Sequence, residues 1–302
     1  MQKNDIISAI DIGSNTILML IAKDLGNKIF EILTDKHSIA RLGEGLSDTG
    51  VINPQAIERA EKILKEYKSI CNEYCVMQIR GVATSAIREA KNGKEVAERL
   101  STIIDSDILV ISGEEEAKLS FWGTIDSDKM STVVDIGGGS TEFINGENAS
   151  INYRKSLNIG AIKITENYFP KHPPTLDQIE KAENFIINNL EQLEISYLGG
   201  DLFAVAGTPT TLAAISKGLS EFDYSEIDGV RLSLEFLENI KNDFLSLTID
   251  QIIYKYKIHP KRADVITAGT IILKSVLHFL NRDNFIVSAK GLRYGILKTM
   301  LK

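Results

Sequence analysis

The sequence predicts an α/β protein built from two related halves, and three observations carry that prediction. The stretch from Ser131 to Ile144 joins a β-branched run, Thr132 to Val134, to a carboxylate, Asp135, and then to Gly137, Gly138 and Gly139. Ser140 and Thr141 follow, and Phe143-Ile144 resume an apolar pattern. A short apolar run bounded by breakers reads as a buried strand, so the stretch is a hairpin whose glycine tip exposes backbone N–H groups to an anion. Consecutive glycines cost backbone entropy and are kept where φ > 0 or a close approach is needed. The N-terminal segment repeats the plan: Ile6 to Ile12 carries Asp11, Gly13-Ser14-Asn15-Thr16 turns, and Ile17 to Ala22 returns. Such a repeat indicates two related halves. A third strand–glycine–hydroxyl turn, Ala206-Gly207-Thr208, follows the run Leu202 to Val205 and opens a helix.

The remaining elements follow in order. Lys28 to Ile39 reads as a further strand, giving a meander with the first hairpin, and Arg41-Leu42-Gly43-Glu44-Gly45-Leu46 reads as a loop. Asn53-Pro54 opens a helix that runs to about Cys71, with proline tolerated in the first turn. Val76 to Val82 is a strand, after which Thr84 or Ser85 caps a short helix carrying Arg88. Arg88 reads equally well as a solvated helix face or as an anion contact. Gly93 to Ile103 is an amphipathic helix and Ile108 to Ile111 a strand. Ser112-Gly113-Glu114-Glu115-Glu116-Ala117 opens the next helix, where first-turn acids complement the helix dipole. That accounts for Glu114 and Glu115, whereas Glu116, followed by the small Ala117, can reach a cleft between the hairpins.

Beyond the glycine hairpin, Ala149 to Arg154 reads as a strand, and Gly160-Ala161 turns into a helix reaching about Phe169. Pro170, Pro173 and Pro174 mark a hinge-like loop, and Thr175 caps a helix from Leu176 to Leu193. Pro209 stands near the start of the helix opened by Gly207, a helix N-terminus being an anion site by construction. Leu232 to Ile253 reads as one helix, the Lys261-Arg262-Ala263-Asp264 segment leads an apolar helix to Leu280, and Phe285 to Ser288 is the last strand. The expected boundary falls near Ile125 to Lys129, giving domains 1–125 and 126–302, with the terminal helix at about 290–302 folding back on the first.

Composition narrows the function. A chain of 302 residues with 43% hydrophobic and 25% charged content is of globular type. The net charge of −7 argues against a general nucleic-acid binder. No apolar run approaches the length of a membrane span and no signal-peptide pattern opens the chain, so a cytoplasmic protein without membrane partners is expected. Cys71 and Cys75 fit neither a zinc pair nor a redox Cys-x-x-Cys, and His37, His172, His259 and His278 show no ligand spacing.

Strand-end glycine turns, two of them with aspartates, together with the strand-end Glu116, describe a cleft for a polyanion and a divalent cation. Mg²⁺ prefers carboxylate, water and phosphate oxygens, so Asp11 and Asp135 are its natural ligands. The turns hold phosphate through backbone N–H groups, which works even on an acidic protein. Glu116 is expected to activate water as a general base, an effect of about 10²–10⁴-fold. Neither a P-loop nor a Gly-x-Gly-x-x-Gly dinucleotide turn occurs.

The ordered set resembles the exopolyphosphatase / guanosine pentaphosphate phosphohydrolase (Ppx/GppA) family, of the actin–Hsp70–sugar-kinase superfold. The pieces are Asp11 to Asn15, Arg41 to Gly45, Ala83 to Ala90, Ser112 to Ala117, Asp135 to Glu142, Ser156-Leu157 with Gly160-Ala161, Gly207-Thr208, and Ser288 with Gly291 to Gly295. The resemblance implies two ribonuclease-H-like domains with a cleft between them. It implies hydrolysis of a terminal phosphoanhydride, with Mg²⁺ (or Mn²⁺) held by Asp11 and Asp135 and water activated by Glu116. Phosphates would be cradled by Gly13, Ser14 and Asn15, by Gly137, Gly138, Gly139 and Ser140, and by Gly207 and Thr208, with Arg88 as a cationic contact. The substrate would be inorganic polyphosphate, of short chain length, or guanosine pentaphosphate.

Two departures qualify this. The C-terminal helical domains that hold long polymer in some members do not follow in this sequence, and Pro209 removes one donor from the third turn. A kinase or ATPase of the same superfold and a non-catalytic sensor of guanosine tetra- or pentaphosphate are the alternatives, and a homodimer is an allowed state. An acid aimed at phosphates argues against the sensor.

Overall fold

The period-2 apolar pattern on either side of Asp11 folds into a meander of β1 (Ile6–Ile12), β2 (Thr16–Gly26) and β3 (Ile29–Ile39). A computed structural model describes residues 5–148, 150–219 and 224–301. After the meander come α1 (Leu46–Thr49), α2 (Pro54–Glu73), β4 (Gln78–Ala83), α3 (Ser85–Glu89), α4 (Gly93–Ile104), β5 (Ile108–Val110) and α5 (Gly113–Thr124). The second series is β6 (Ser131–Ile136), β7 (Thr141–Glu147), β8 (Ser150–Leu157), α6 (Ala161–Tyr168), α7 (Leu176–Leu190), β9 (Asp201–Val205) and α8 (Gly207–Ser216). It continues with α9 (Tyr224–Ile227), β10 (Arg231–Ser233), α10 (Leu234–Ser246), α11 (Ile249–Tyr256), α12 (Pro260–Ala263), α13 (Ile266–Phe279) and β11 (Asn284–Val287). The chain then closes with α14 (Leu292–Lys298).

The chain divides into two units, one of Met1–Gly123 with Gly291–Lys302 and one of Thr124–Lys290. In the first, the strand order is β3-β2-β1-β4-β5. The meander pairs antiparallel, and β4 and β5 add in parallel. In the second, β8-β7-β6-β9-β11 repeats the same order and the same senses, and β10 adds an antiparallel edge. Each unit is therefore an α/β domain of ribonuclease-H-like topology, the fold class expected from the repeated hairpins.

The first sheet is covered on both faces, as the alternation along β1 requires. Ile10 and Ile12 pack with Ala56, Ile57, Ala60 and Leu64 of α2 and with Val96 and Leu100 of α4. Ile7 and Ala9 point the other way and pack with Leu119 of α5 and with Leu292, Ile296 and Leu297 of α14. Fully burying one such side chain contributes about 1.5–3 kcal/mol. The α14 crossing is backbone-close: a methyl on Gly295 would lie 1.8 Å from the Leu119 carbonyl oxygen. Arg293, 3% exposed, clasps Asp35 of β3 through Nε–Oδ1 at 3.0 Å and Nη2–Oδ2 at 2.8 Å. In the second unit Val134, Phe143, Ala204 and Phe285 line one core with Ile271, Ile272 and Val276 of α13.

Two expected elements differ. The single helix read from Leu232 to Ile253 is a short strand and two helices. Leu232 pairs with Phe285 in β10, the Ser233 side chain caps α10, and a Thr248–Gln251 capping box restarts the chain as α11. The apolar run after Lys261 likewise divides into α12 and α13. Part of the strand expected from Ala149 lies outside the described residues. Cys71 is buried and Cys75 exposed, and both are free.

Candidate active site

In each unit the candidate residues gather where the parallel strands end, the usual position of sites on such sheets. Asp11 is the penultimate residue of β1, and the last ladder pair is Ile12 with Ile17. Gly13 N–H then donates to the Thr16 carbonyl at 2.9 Å, closing the turn. In the second unit Asp135 is the penultimate residue of β6, the last pair is Ile136 with Thr141, and Gly137 N–H donates to the Ser140 carbonyl at 2.9 Å. The two turns are the same object built twice.

Their glycines serve close approach. Neither Gly13 nor Gly137 has a positive φ, and a methyl on either would sit 3.2 or 3.1 Å from the oxygen that closes its turn. A methyl on Gly160 would lie 2.3 Å from the Gly138 carbonyl oxygen, so the start of α6 presses directly on the glycine run. There Ile162 N–H donates to the Gly138 carbonyl at 3.0 Å, and in the first turn Gly43 N–H donates to the Ser14 carbonyl at 2.9 Å. Ser14 and Gly138 occupy the same place in their turns, so equivalent carbonyls are held from outside in both. Among the described residues, the N–H groups of Ser14, Asn15, Gly138 and Gly139 donate to no protein oxygen. Unpaired amides on a turn of this kind attract an anion.

Beside the first turn, Ile12 accepts from Thr84 N–H at 3.2 Å, which starts α3 at the end of β1. Arg88, on α3, donates from Nη1 to the Ile111 carbonyl and to Glu116 Oε2, both at 2.9 Å. Glu116 is 9% exposed, whereas Glu114 and Glu115 on the same first turn of α5 are exposed. The α5 register alone separates these acids, turning one inward and two to solvent. Ser112 supports the turn, its Oγ accepting from Glu115 N–H at 3.2 Å and its carbonyl accepting from Glu116 N–H at 2.9 Å.

Within the second unit, β9 runs parallel to β6 with Val205 beside Asp135, so the Gly207 turn emerges next to the Gly137 turn. Ala206 takes φ 78°, ψ −164°, a region costing a non-glycine residue of order 1–3 kcal/mol. Thr208 and Pro209 are buried in the first turn of α8. Arg262, on α12, donates from Nη1 to the Gly207 carbonyl and to Thr211 Oγ1, each at 3.2 Å.

Four residues of this neighbourhood carried no assigned role on sequence grounds. Glu142, 1% exposed, pairs directly with Asp135 across the ladder and accepts from Ser156 Oγ at 2.7 Å. Directly paired side chains stand on one face about 4.5–5.5 Å apart, so the two carboxylates are neighbours. The four-residue turn, once recognised, fixes that pairing. Arg262 carries a signal as well, a basic residue leading an apolar helix, but its target is distant in sequence. Glu44 and Arg59 form a further pair at 2.7 Å, beside the loop that covers the first turn.

The carboxylates Asp11 and Asp135 belong to different units, and among the described residues no group of three or more His, Cys, Asp or Glu side chains forms a metal cage. Hard oxygen donors in small number suit Mg²⁺, which keeps waters and takes substrate phosphate oxygens as ligands. No described helix is long and apolar enough to cross a membrane.

The model of the Ppx/GppA phosphatase family matches residues 20–302. Exopolyphosphatase 2 of Mycobacterium tuberculosis is 31% identical, over 96% of this chain and 97% of that protein. The bifunctional 3-dehydroquinate synthase/phosphatase of Fusobacterium nucleatum is 38% identical over 95% of this chain, which spans 45% of that longer protein. The crystal structure of an exopolyphosphatase from Cytophaga hutchinsonii shares the fold with a TM-score of 0.89 at 27% identity, over 99% of each chain. A family match over nearly the whole chain, with a relative aligned along almost its own full length, means that this chain belongs to the Ppx/GppA phosphatase family.

Proposed function

We propose that the protein hydrolyses the terminal phosphoanhydride bond of inorganic polyphosphate or of guanosine pentaphosphate, releasing orthophosphate in a Mg²⁺-dependent reaction. The observation that carries this reading is the pair of matching turns with unpaired amides, one in each unit. A reaction whose catalysis is mostly positioning and charge stabilisation needs such amides more than it needs covalent chemistry. The relative named exopolyphosphatase, aligned over nearly the whole of both chains, supports polyphosphate as the substrate class.

In this reading the turns at Gly13, Ser14 and Asn15, at Gly137 to Ser140, and at Gly207 and Thr208 hold phosphate oxygens. The first two do so through the unpaired amides of Ser14, Asn15, Gly138 and Gly139, while Gly13 and Gly137 close their turns. Glu116 accepts a proton from water as its oxygen bonds to the terminal phosphorus. The bond from that phosphorus to the bridging oxygen breaks, and the shortened chain leaves with the electron pair. Arg88, bonded to Glu116, holds the base and offers charge to the same phosphate. Asp11 and Asp135 are the residues assigned to Mg²⁺ (or Mn²⁺), with Glu142 beside Asp135 as a further carboxylate. The bound ion would neutralise charge developing on the phosphate oxygens.

The test is orthophosphate release with Mg²⁺ from tripolyphosphate, long-chain polyphosphate, guanosine pentaphosphate and ATP in parallel. Release from polyphosphate or guanosine pentaphosphate is expected. Binding of these anions with no release from any of them would overturn the hydrolase reading.

A further inference from the structure

We propose that Arg59 is a positioning residue that fixes the anion-binding amides of the first turn, a proposal resting on the phosphohydrolase reading above. Arg59 lies on α2, outside every motif read from the sequence. Its Nε donates to the Ala40 carbonyl at 2.8 Å, and its Nη2 donates to Glu44 Oε2 at 2.7 Å and to the Arg41 carbonyl at 3.4 Å. The planar guanidinium thus spans the loop from its first residue to Glu44, which a flexible point charge does not do. Asn53, the cap of α2, holds the far end by donating from Nδ2 to the Glu44 carbonyl at 3.1 Å.

The clamped loop lies on the turn. Ala40 and Arg41 N–H groups both donate to the Asn15 carbonyl at 3.0 Å, and Gly43 N–H donates to the Ser14 carbonyl at 2.9 Å. Because a peptide group is planar and trans, holding the Ser14 carbonyl also sets the direction of the Asn15 N–H, which points the opposite way. That amide is one of those without a protein acceptor. Arg41 meanwhile adopts φ 54°, a left-handed conformation that a non-glycine residue keeps when its surroundings impose it. The second unit shows the same need met differently: there the Gly138 carbonyl is held by the N-terminus of α6 through Ile162 and Lys163. Equivalent carbonyls are held in both halves, and in the first the loop that does so is clamped by Arg59 together with Asn53.

The experiment uses the whole chain with Mg²⁺. It measures tripolyphosphate binding by calorimetry, phosphate release, and amide exchange at residues 40–43. In Arg59→Ala, exchange at these amides should accelerate while α2 stays protected. Tripolyphosphate affinity should fall about tenfold, with KM rising to match and kcat within about threefold, the split expected when binding is loosened but the base is untouched. Arg59→Lys should fall between the two. If Arg59→Ala fails to fold, Glu44→Gln serves instead, with an expected loss of about two- to threefold. Unchanged affinity in a folded Arg59→Ala, or a loss confined to kcat, overturns the proposal while leaving the hydrolase reading intact. If the wild-type chain binds tripolyphosphate but releases phosphate from neither it, long-chain polyphosphate nor guanosine pentaphosphate, the hydrolase reading falls and the affinity comparison still decides the role of Arg59. If the wild-type chain binds none of these anions, both fall.

Discussion

Arg88 and Glu116 meet at 2.9 Å, Nη1 to Oε2, with the same guanidinium nitrogen also held by the Ile111 carbonyl. The carboxylate read as the base and the cation read as the phosphate contact are therefore partners within one unit. A phosphate arriving at Arg88 would share a guanidinium already engaged by the base. Replacing Glu116 by Gln keeps the shape and a hydrogen bond to Arg88 while removing proton acceptance. Phosphate release should drop about 10²–10⁴-fold with the midpoint of thermal unfolding almost unchanged. Residual activity above a tenth of wild type would remove Glu116 from the base role.

Arg88→Ala should behave differently. It strips a 9%-exposed carboxylate of its ion-pair partner, and breaking a buried pair costs about 3–5 kcal/mol, less in proportion to remaining exposure. Both unfolding midpoint and activity should fall. Arg88→Lys should recover stability more than activity, because an ammonium cannot hold the Ile111 carbonyl and Glu116 in a fixed fork. Equal recovery of both would mean that charge alone matters.

Acid should loosen the first unit through Asp35. Burial pushes this carboxyl upward, but the hydrogen bond from His37 and the Arg293 guanidinium outweigh burial and hold it below its usual 3.8. A depressed carboxyl contributes stability above its unfolded value, and that contribution drains as the pH falls through 3.8 toward the folded value. Asp35→Asn should flatten the pH dependence of unfolding below about pH 4, and Arg293→Leu alone should cost about 3–5 kcal/mol. A double substitution to Leu at both positions should cost less than the sum of the singles.

Gly160→Ala tests the contact behind the glycine run. The added methyl would meet the Gly138 carbonyl oxygen at 2.3 Å, so the turn or the start of α6 must shift. KM for tripolyphosphate should rise about tenfold or more, whereas Ala at Gly218, where a methyl would meet nothing within 4 Å, should leave KM unchanged and cost only local strain. Equal kinetics for the two variants would separate the Gly160 contact from anion binding.

Much of this fold was legible because its signals are local. An Asp at a strand end, a glycine turn and a return strand lie in one continuous stretch, so both hairpins could be read and their equivalence seen. Glu116 could be singled out from Glu114 and Glu115 by its place at the strand-to-helix junction, and the α5 register does turn it inward. Contacts joining distant stretches were not legible: Gly160 against Gly138, Arg262 against Gly207, and Arg59 against the loop at Ala40 carry no local pattern. The division of the helix read from Leu232 does have a local signal, since Thr248 and Gln251 stand at capping-box spacing.

The placement of α14 has a consequence for how the protein is made. Ile296 and Leu297, both fully buried, complete the core of a sheet whose first strand starts at Ile6. On the ribosome, the whole of Thr124–Lys290 must be synthesised before that helix exists. Until α14 is made, Ile7, Ala9 and Leu20 lack part of their cover on one face, so the earliest-made strands are completed by one of the last-made helices.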